Sequence, residues 1–157
     1  MAPRTTVPGV RAKIETMADP RDPAAPPPDD EEREGAYALL QRGQALLKSR
    51  HHAQAATVLE RAARIEPGKG SILEPLGRAY HHSGQFDLAR ETFEALLEVD
   101  PSAHWAHFAL ATTLRKLDRA AEARTHLRLA VALCPTSALY RRALERVDPP
   151  KSRHDAA

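Results

Sequence analysis

The chain has a single cysteine, Cys134, so no internal disulfide framework can hold it together, and a reducing compartment such as the cytoplasm is expected. Aromatic residues make up only 4% of the sequence, so any core must rest on Ala and Leu. Charge of one sign is missing too: 23 basic and 21 acidic side chains leave a net charge of +2. Such a balance sets up no global field for nucleic acid or an anionic membrane. No stretch approaches the roughly 18 apolar residues of a membrane-spanning helix. The opening residues MAPRTTVPGVRAKIET lack a continuous apolar segment, so no secretory signal is expected.

What the chain does have is proline in one place and a repeat in another. Seven of its 13 prolines (Pro3, Pro8, Pro20, Pro23, Pro26, Pro27 and Pro28) fall in the first 28 residues. Large apolar residues are few there, so burial cannot offset ordering entropy and residues 1–28 are expected to be disordered. Met17 offers an alternative translation start. Residues 148–157 read as a frayed tail. Between them lies the folded part, residues 29–147, almost neutral in charge.

Three segments end in proline: ARIEP at Pro67, LEVDP at Pro101 and VALCP at Pro135, each 34 residues from the last. Gly43, Gly77 and Ala111 keep the same step, as do Leu46, Tyr80 and Leu114. So do Ala55, Ala89 and Ala123, and Leu59, Phe93 and Leu127. In the middle copy Leu73, Leu76, Gly77 and Tyr80 fall on one helical face. Gly84 suits a left-handed helix end, and Asp87 is placed to cap the next helix. That helix carries Ala89, Phe93, Leu96 and Leu97 inward, and Pro101 ends it. Gly77 and Ala89 are expected to let the two backbones approach, with Tyr80 and Phe93 beside them. One hairpin cannot bury both faces, so the copies must stack.

The pattern resembles the tetratricopeptide repeat family, whose unit reads W-x2-L-G-x2-Y, A-x3-F, P. The middle copy matches as Leu73-x2-Leu76-Gly77-x2-Tyr80, Ala89-x3-Phe93 and Pro101, with Leu in place of Trp. The first copy keeps Leu39, Gly43, Leu46, Ala55, Leu59, Ala62 and Pro67. The third keeps Leu110, Ala111, Leu114, Ala123, Leu127, Ala130 and Pro135. The resemblance implies an all-α fold, a right-handed α-solenoid of three helix hairpins at about 36–69, 70–103 and 104–137, followed by a capping helix at 138–147. Arg50 and Asp118 replace the turn glycine. Leu96 replaces an Ala, which would widen the packing between the second and third copies. Pro75 requires its helix to begin around Ile72 or later. On the capping helix Leu139, Ala143 and Val147 form the expected apolar stripe, and the acidic run 29–34 suits a first helical turn.

The same resemblance implies a concave groove lined by the first helix of each pair. Carried onto this chain, its positions are Tyr37, Leu40, Gln44, Leu47 and Lys48; then Ser71, Glu74, Arg78, His81 and His82; then Trp105, Phe108, Thr112, Arg115 and Lys116, with Arg142 added by the cap. Trp105 is the one Trp, a residue type enriched among interface anchors, though it also suits the seam between hairpins. Arg78, Arg115 and Lys116 suit an acidic side chain or carboxylate, or are an ordinary solvated face. Part of the family clamps the C-terminal carboxylate of chaperones through Lys, Asn and Arg. Here those positions hold Leu40, Gln44, Pro75, Trp105 and Ala109, so that clamp is not expected.

Eight histidines raise the question of a metal. His51-His52 and His81-His82 are adjacent pairs, whose rings point apart, and His104 and His107 share a face. No set with zinc-ligand spacing appears, so surface histidines titrating near neutrality are expected. EPGKGS at 66–71 is not a phosphate loop, and no nucleophile with a base stands out, so neither catalysis nor a cofactor is expected. Arg124, Arg128 and the Arg-rich last helix could touch phosphates, yet the folded part is nearly neutral and lacks interleaved aromatics. The expected partner is therefore another protein or peptide, with acidic groups, and neither nucleic acid nor a membrane. An adaptor, chaperone or assembly role follows, with self-assembly through the solenoid ends as the alternative. The Ala- and Arg-rich composition suggests a bacterial source.

Overall fold

The computed structural model describes residues 35–148. The proline-rich stretch, the acidic run and residues 149–157 lie outside the described residues, and so do the expectations attached to them. The described residues form seven helices and no strand. These are α1 (Ala36–Lys48), α2 (His52–Ile65), α3 (Gly70–His82), α4 (Phe86–Val99), α5 (His104–Lys116), α6 (Ala120–Leu133) and α7 (Ala138–Val147). They pair as hairpins α1–α2, α3–α4 and α5–α6, stacked through α2 on α3 and α4 on α5, with α7 closing on α6.

Each hairpin turn repeats one backbone device. Arg50, Gly84 and Asp118 take positive φ of 62°, 82° and 58°. The following N–H then reaches back across the helix end: His51 to Leu46 O, Gln85 to Tyr80 O and Arg119 to Leu114 O, each at 2.9 Å. These are six-to-one Schellman bonds, and they satisfy carbonyls that the helix end would leave open. Gly84 enters the left-handed region freely, whereas Arg50 and Asp118 bear a steric cost there. Asp87 does not cap α4. The turn already places Gln85 at the N-cap, no side chain bonds there, and Asp87 lies in the first helical turn.

The core runs along the hairpin seams and is mostly Ala and Leu, as the scarcity of aromatics requires. A Cβ on Gly77 would stand 2.5 Å from Phe93 Cε1, so this glycine seats the Phe93 ring. The glycine thus makes room for the ring, and Ala89 on the facing helix is fully buried. Gly43 seats Leu59 in the same way. In the third hairpin the same column holds Ala111 opposite Leu127, and both are buried. Tyr80, 1% exposed, donates its hydroxyl to Glu60 Oε1 at 2.6 Å and so ties α3 to α2. Burial and the Glu60 carboxylate push that phenol well above the ordinary tyrosine range. Leu96 is buried, its Cδ1 3.4 Å from where a Gly70 Cβ would stand.

Two sequence readings are corrected here. Helix α3 begins at Gly70, two residues before the expected start, with buried Pro75 inside it. Proline leaves the Ser71 carbonyl without its helical donor, but Ser71 is exposed and that carbonyl can turn to water. On α7 the buried residues are Tyr140 and Ala143, with Leu144 and Val147 packed on the core, whereas Leu139 is 59% exposed. The bulkier Tyr140 ring takes the inner face because it meets Phe108 at 5.0 Å between centroids and accepts or donates a 2.9 Å bond with His104 Nδ1.

Candidate functional site

The first helices form one continuous inner face, since α1 touches α3 and α3 touches α5. Along it the structure brings some of the expected groove residues together and leaves others apart. His81, from the last turn of α3, and Thr112, Arg115 and Lys116, from the last two turns of α5, line one open cavity of about 370 Å³. Glu74 and Arg78 pair with each other at 3.9 Å on α3, both half exposed. Trp105 and Phe108 are half-buried and pack on the core. Tyr37 is 74% exposed at the far end of α1, with Gln44 and Lys48 exposed and Leu40 and Leu47 half-buried on the same helix. Ser71, His82 and Arg142 are exposed.

Arg115 and Lys116 close α5, where cations are favoured by the negative end of the helix dipole. That explains how two exposed cations persist without an acidic partner among the described residues. The hydroxyl protons nearby are already committed. Thr112 Oγ1 donates to Ala109 O at 2.8 Å, and Thr113 Oγ1 donates to the same carbonyl at 2.9 Å. Thr113 Oγ1 can therefore only accept from His81 Nδ1, 2.9 Å away. In the neutral ring this fixes the proton on Nδ1 and leaves Nε2 bare. Burial, then His82 and Lys116, hold His81 below the ordinary histidine value. Thr113 was missed in the sequence. It is buried, and only its neighbour Thr112 falls at a groove position.

The histidine pairs behave unlike the sequence expectation. His52 and His82 meet with ring centroids 4.9 Å apart, and the adjacent His81 and His82 rings meet edge to face at 5.4 Å. His82 is held below the ordinary value by burial, then by His52, Arg78 and Arg50. His104 and His107 do not serve one face: His104 turns to Tyr140 of α7, while His107 turns to His126 of α6. His107 Nε2 lies 3.0 Å from the Pro101 carbonyl and must donate to it, so its Nδ1 accepts from His126 Nδ1 at 3.0 Å. Among the described residues, no three His, Cys, Asp or Glu side chains stand where they could share a metal. No helix among them is long and apolar enough to cross a membrane.

Arg124 and Arg128 are not free for phosphates. Arg128 Nη2 bonds Asp148 Oδ2 at 2.6 Å. Arg124 lies 3.8 Å from Asp148 Oδ1 and donates to Val147 O at 3.2 Å. Both close the end of α7. Cys134 caps α6, half-buried, its Sγ 3.9 Å from Thr136 Oγ1.

Stacked hairpins joined by left-handed turns, with first helices on a shared inner face, define an α-solenoid of helical repeats. The chain belongs to the tetratricopeptide repeat family, which it matches over residues 40–89 and 75–138. It is 31% identical over 97 residues to mouse Superkiller complex protein 3, a match covering 62% of this chain but 6% of that protein. Its human counterpart is 32% identical over 87 residues, 55% of this chain and 6% of that protein. Among solved structures it is similar to the first TPR of Spaghetti (RPAP3) bound to the HSP90 peptide SRMEEVD. The TM-score is 0.69 at 15% identity, over 74% of this chain and 92% of that one. It is also similar to MamA from Desulfovibrio magneticus RS-1, with a TM-score of 0.72 at 21% identity, over 74% of this chain and 66% of that one. At such identities these two likenesses establish the fold.

Proposed function

We propose that the chain binds an acidic segment of a partner protein along its inner face, as an adaptor, chaperone or assembly factor of the cytoplasm. The observation that carries this is the pair Arg115 and Lys116, set beside an open cavity with no carboxylate acting on its histidine. Trp105, Phe108 and Tyr37 would supply apolar area to the same partner, with Leu40, Gln44 and Lys48 continuing the face along α1. Arg78, already paired with Glu74, would contribute less than the two cations of α5. The structural likeness to a repeat domain holding the acidic peptide SRMEEVD supports the reading by analogy of fold alone. The chaperone-clamp side chains are absent here, so acidic groups would be held at the α3–α5 cavity.

The test uses the full chain as bait in a lysate of its source, beside Arg115→Gln/Lys116→Gln. Peptides from any partner are then titrated directly, with Trp105 emission as the signal. A partner kept by the native chain and weakened at least tenfold by the double variant is expected. Identical capture by both would sink the reading. The alternative, self-assembly through the solenoid ends, is favoured by Leu133 and Leu139, 44% and 59% exposed near the last hairpin. It predicts a mass that grows with concentration and falls after Leu133→Ser.

A further inference from the structure

The geometry points to an oxyanion site in the cavity between α3 and α5 that takes up one proton, at His81 Nε2, when it fills. This rests on the reading of the inner face given above and names its ligand chemistry and its regulation. The ligand group is a carboxylate or a phosphoryl-type oxyanion on the partner's side chain.

Three observations lead there. The cavity is lined by two cations with no acidic partner among the described residues, Arg115 and Lys116, and by a histidine. The groups acting on His81 are all cationic or neutral. Lys116 reaches it from α5 and His82 from its own helix, with His52 of α2, Arg78 and Arg50 behind His82, and Phe86 of α4 lies against the ring at 5.5 Å. No carboxylate is among them. The last observation is the direction of the ring. Because Nδ1 already carries a proton and donates it to Thr113 Oγ1, protonation falls on Nε2 and leaves that bond intact. The ring then gains a donor and a charge without moving.

The resting state favours neutral His81, first because burial penalises the charged ring and then because His82 and Lys116 repel a further cation. An arriving oxyanion cancels that repulsion. Linkage makes the effect reciprocal: the anion raises the proton affinity of His81, and the proton raises the affinity for the anion by the same factor. Thr112 contributes its lone pairs and shape but no proton, since its hydroxyl is spent on Ala109.

The probe is inorganic sulfate, which stays a dianion across the range used. Sodium sulfate is titrated into the full chain at constant ionic strength, at about pH 5.5 and about pH 8, and followed by NMR. One added unit charge near a partly screened anion predicts binding roughly fivefold tighter at the lower pH. The His81 midpoint should then move up by about 0.7 pH unit on saturation, the same fivefold read from the proton's side. Arg115→Gln/Lys116→Gln should abolish binding. His81→Asn keeps a donor for Thr113 but cannot titrate, so its binding should lose pH dependence while circular dichroism shows the helices retained. Equal affinity at both pH values, an unmoved His81 midpoint, or binding that survives in the double variant would each overturn the proposal. The midpoint is read on the native chain, so the test stands even if His81→Asn fails to fold. An acetate arm separates the ligand sources: sulfate binding far tighter than acetate assigns a phosphoryl-type group, and comparable binding assigns a carboxylate. Loss of the sulfate response with partner capture intact would remove this site and leave the broader reading standing.

Discussion

Two pairs of basic side chains stand on the two helices of one hairpin and meet opposite fates. Arg115 and Lys116 end α5 and face an open cavity. Arg124 and Arg128, a turn apart on α6, converge on Asp148 at the end of α7. Both pairs answer the negative end of a helix, the first its own and the second its neighbour's. Asp148 would sit badly at the C-terminal end of α7 without two cations over it, and Arg124 also takes the Val147 carbonyl that the helix leaves open. The difference is therefore not the number of arginines but whether a carboxylate of the same chain has arrived first. A paired cluster locks an element in place, and an unpaired one beside a cavity is available to a partner.

Neutralising each cluster in turn is the strongest way to break that contrast. Arg124→Gln with Arg128→Gln should lower unfolding stability by about 1 kcal/mol, the modest size reflecting solvent screening of half-exposed pairs. Sulfate affinity should not change. Arg115→Gln with Lys116→Gln should do the reverse, with stability within about 0.5 kcal/mol and sulfate binding lost. Urea unfolding and sulfate titration of both variants decide it. If either variant moved both quantities, the two clusters would not be separable.

Acid sharpens the comparison on a smaller scale. His81, His82 and His126 are all held below the ordinary histidine value, each by burial first. The folded state thus favours the neutral rings. As pH falls through about 6.5 the unfolded chain takes up protons first, so stability is full above that value and declines below it. The loss levels off once the folded rings also titrate. For His126 the added proton goes to Nε2, because Nδ1 already donates to His107, so that bond survives and the cost is burial first and the neighbouring His107 second. Sulfate should restore the part of the acid loss that belongs to His81 and leave the part that belongs to His126. Melting temperatures at about pH 5.5, with and without sulfate, in the native chain and in His81→Asn, read this directly.

The contrast also separates what the sequence discloses from what it does not. The 34-residue step makes each column testify three times, so the hairpins and the left-handed turns at Arg50, Gly84 and Asp118 were legible in register. Contacts that occur once have no such echo. His81 reaches Thr113 across 32 residues, yet the columns of these two hold Leu47 and Arg115, and Ala45 and Ala79. Asp148 lay in a segment read as tail, so its grip on Arg124 and Arg128 was invisible. Periodicity also names a face without giving its contacts: the step places Phe93 near Gly77, and only the structure shows its ring lying where a Gly77 side chain would be.

The same ambiguity on α7 sets a near-silent position beside a costly one. Leu139 and Tyr140 each begin a plausible apolar stripe through Ala143 to Val147, and a short helix with one packed side can bury only one of them. The structure buries Tyr140 at 7% exposure and leaves Leu139 at 59%. Tyr140 also holds His104, which binds α7 to the start of α5 as Asp148 binds it to α6. Leu139→Ser should therefore change unfolding stability by less than about 0.5 kcal/mol, whereas Tyr140→Ala should cost about 3 kcal/mol by opening a cavity against Phe108. A large loss on Leu139→Ser would mean that its side chain is covered in the full protein, and the docking of α7 would then rest on apolar contact more than on the paired cluster.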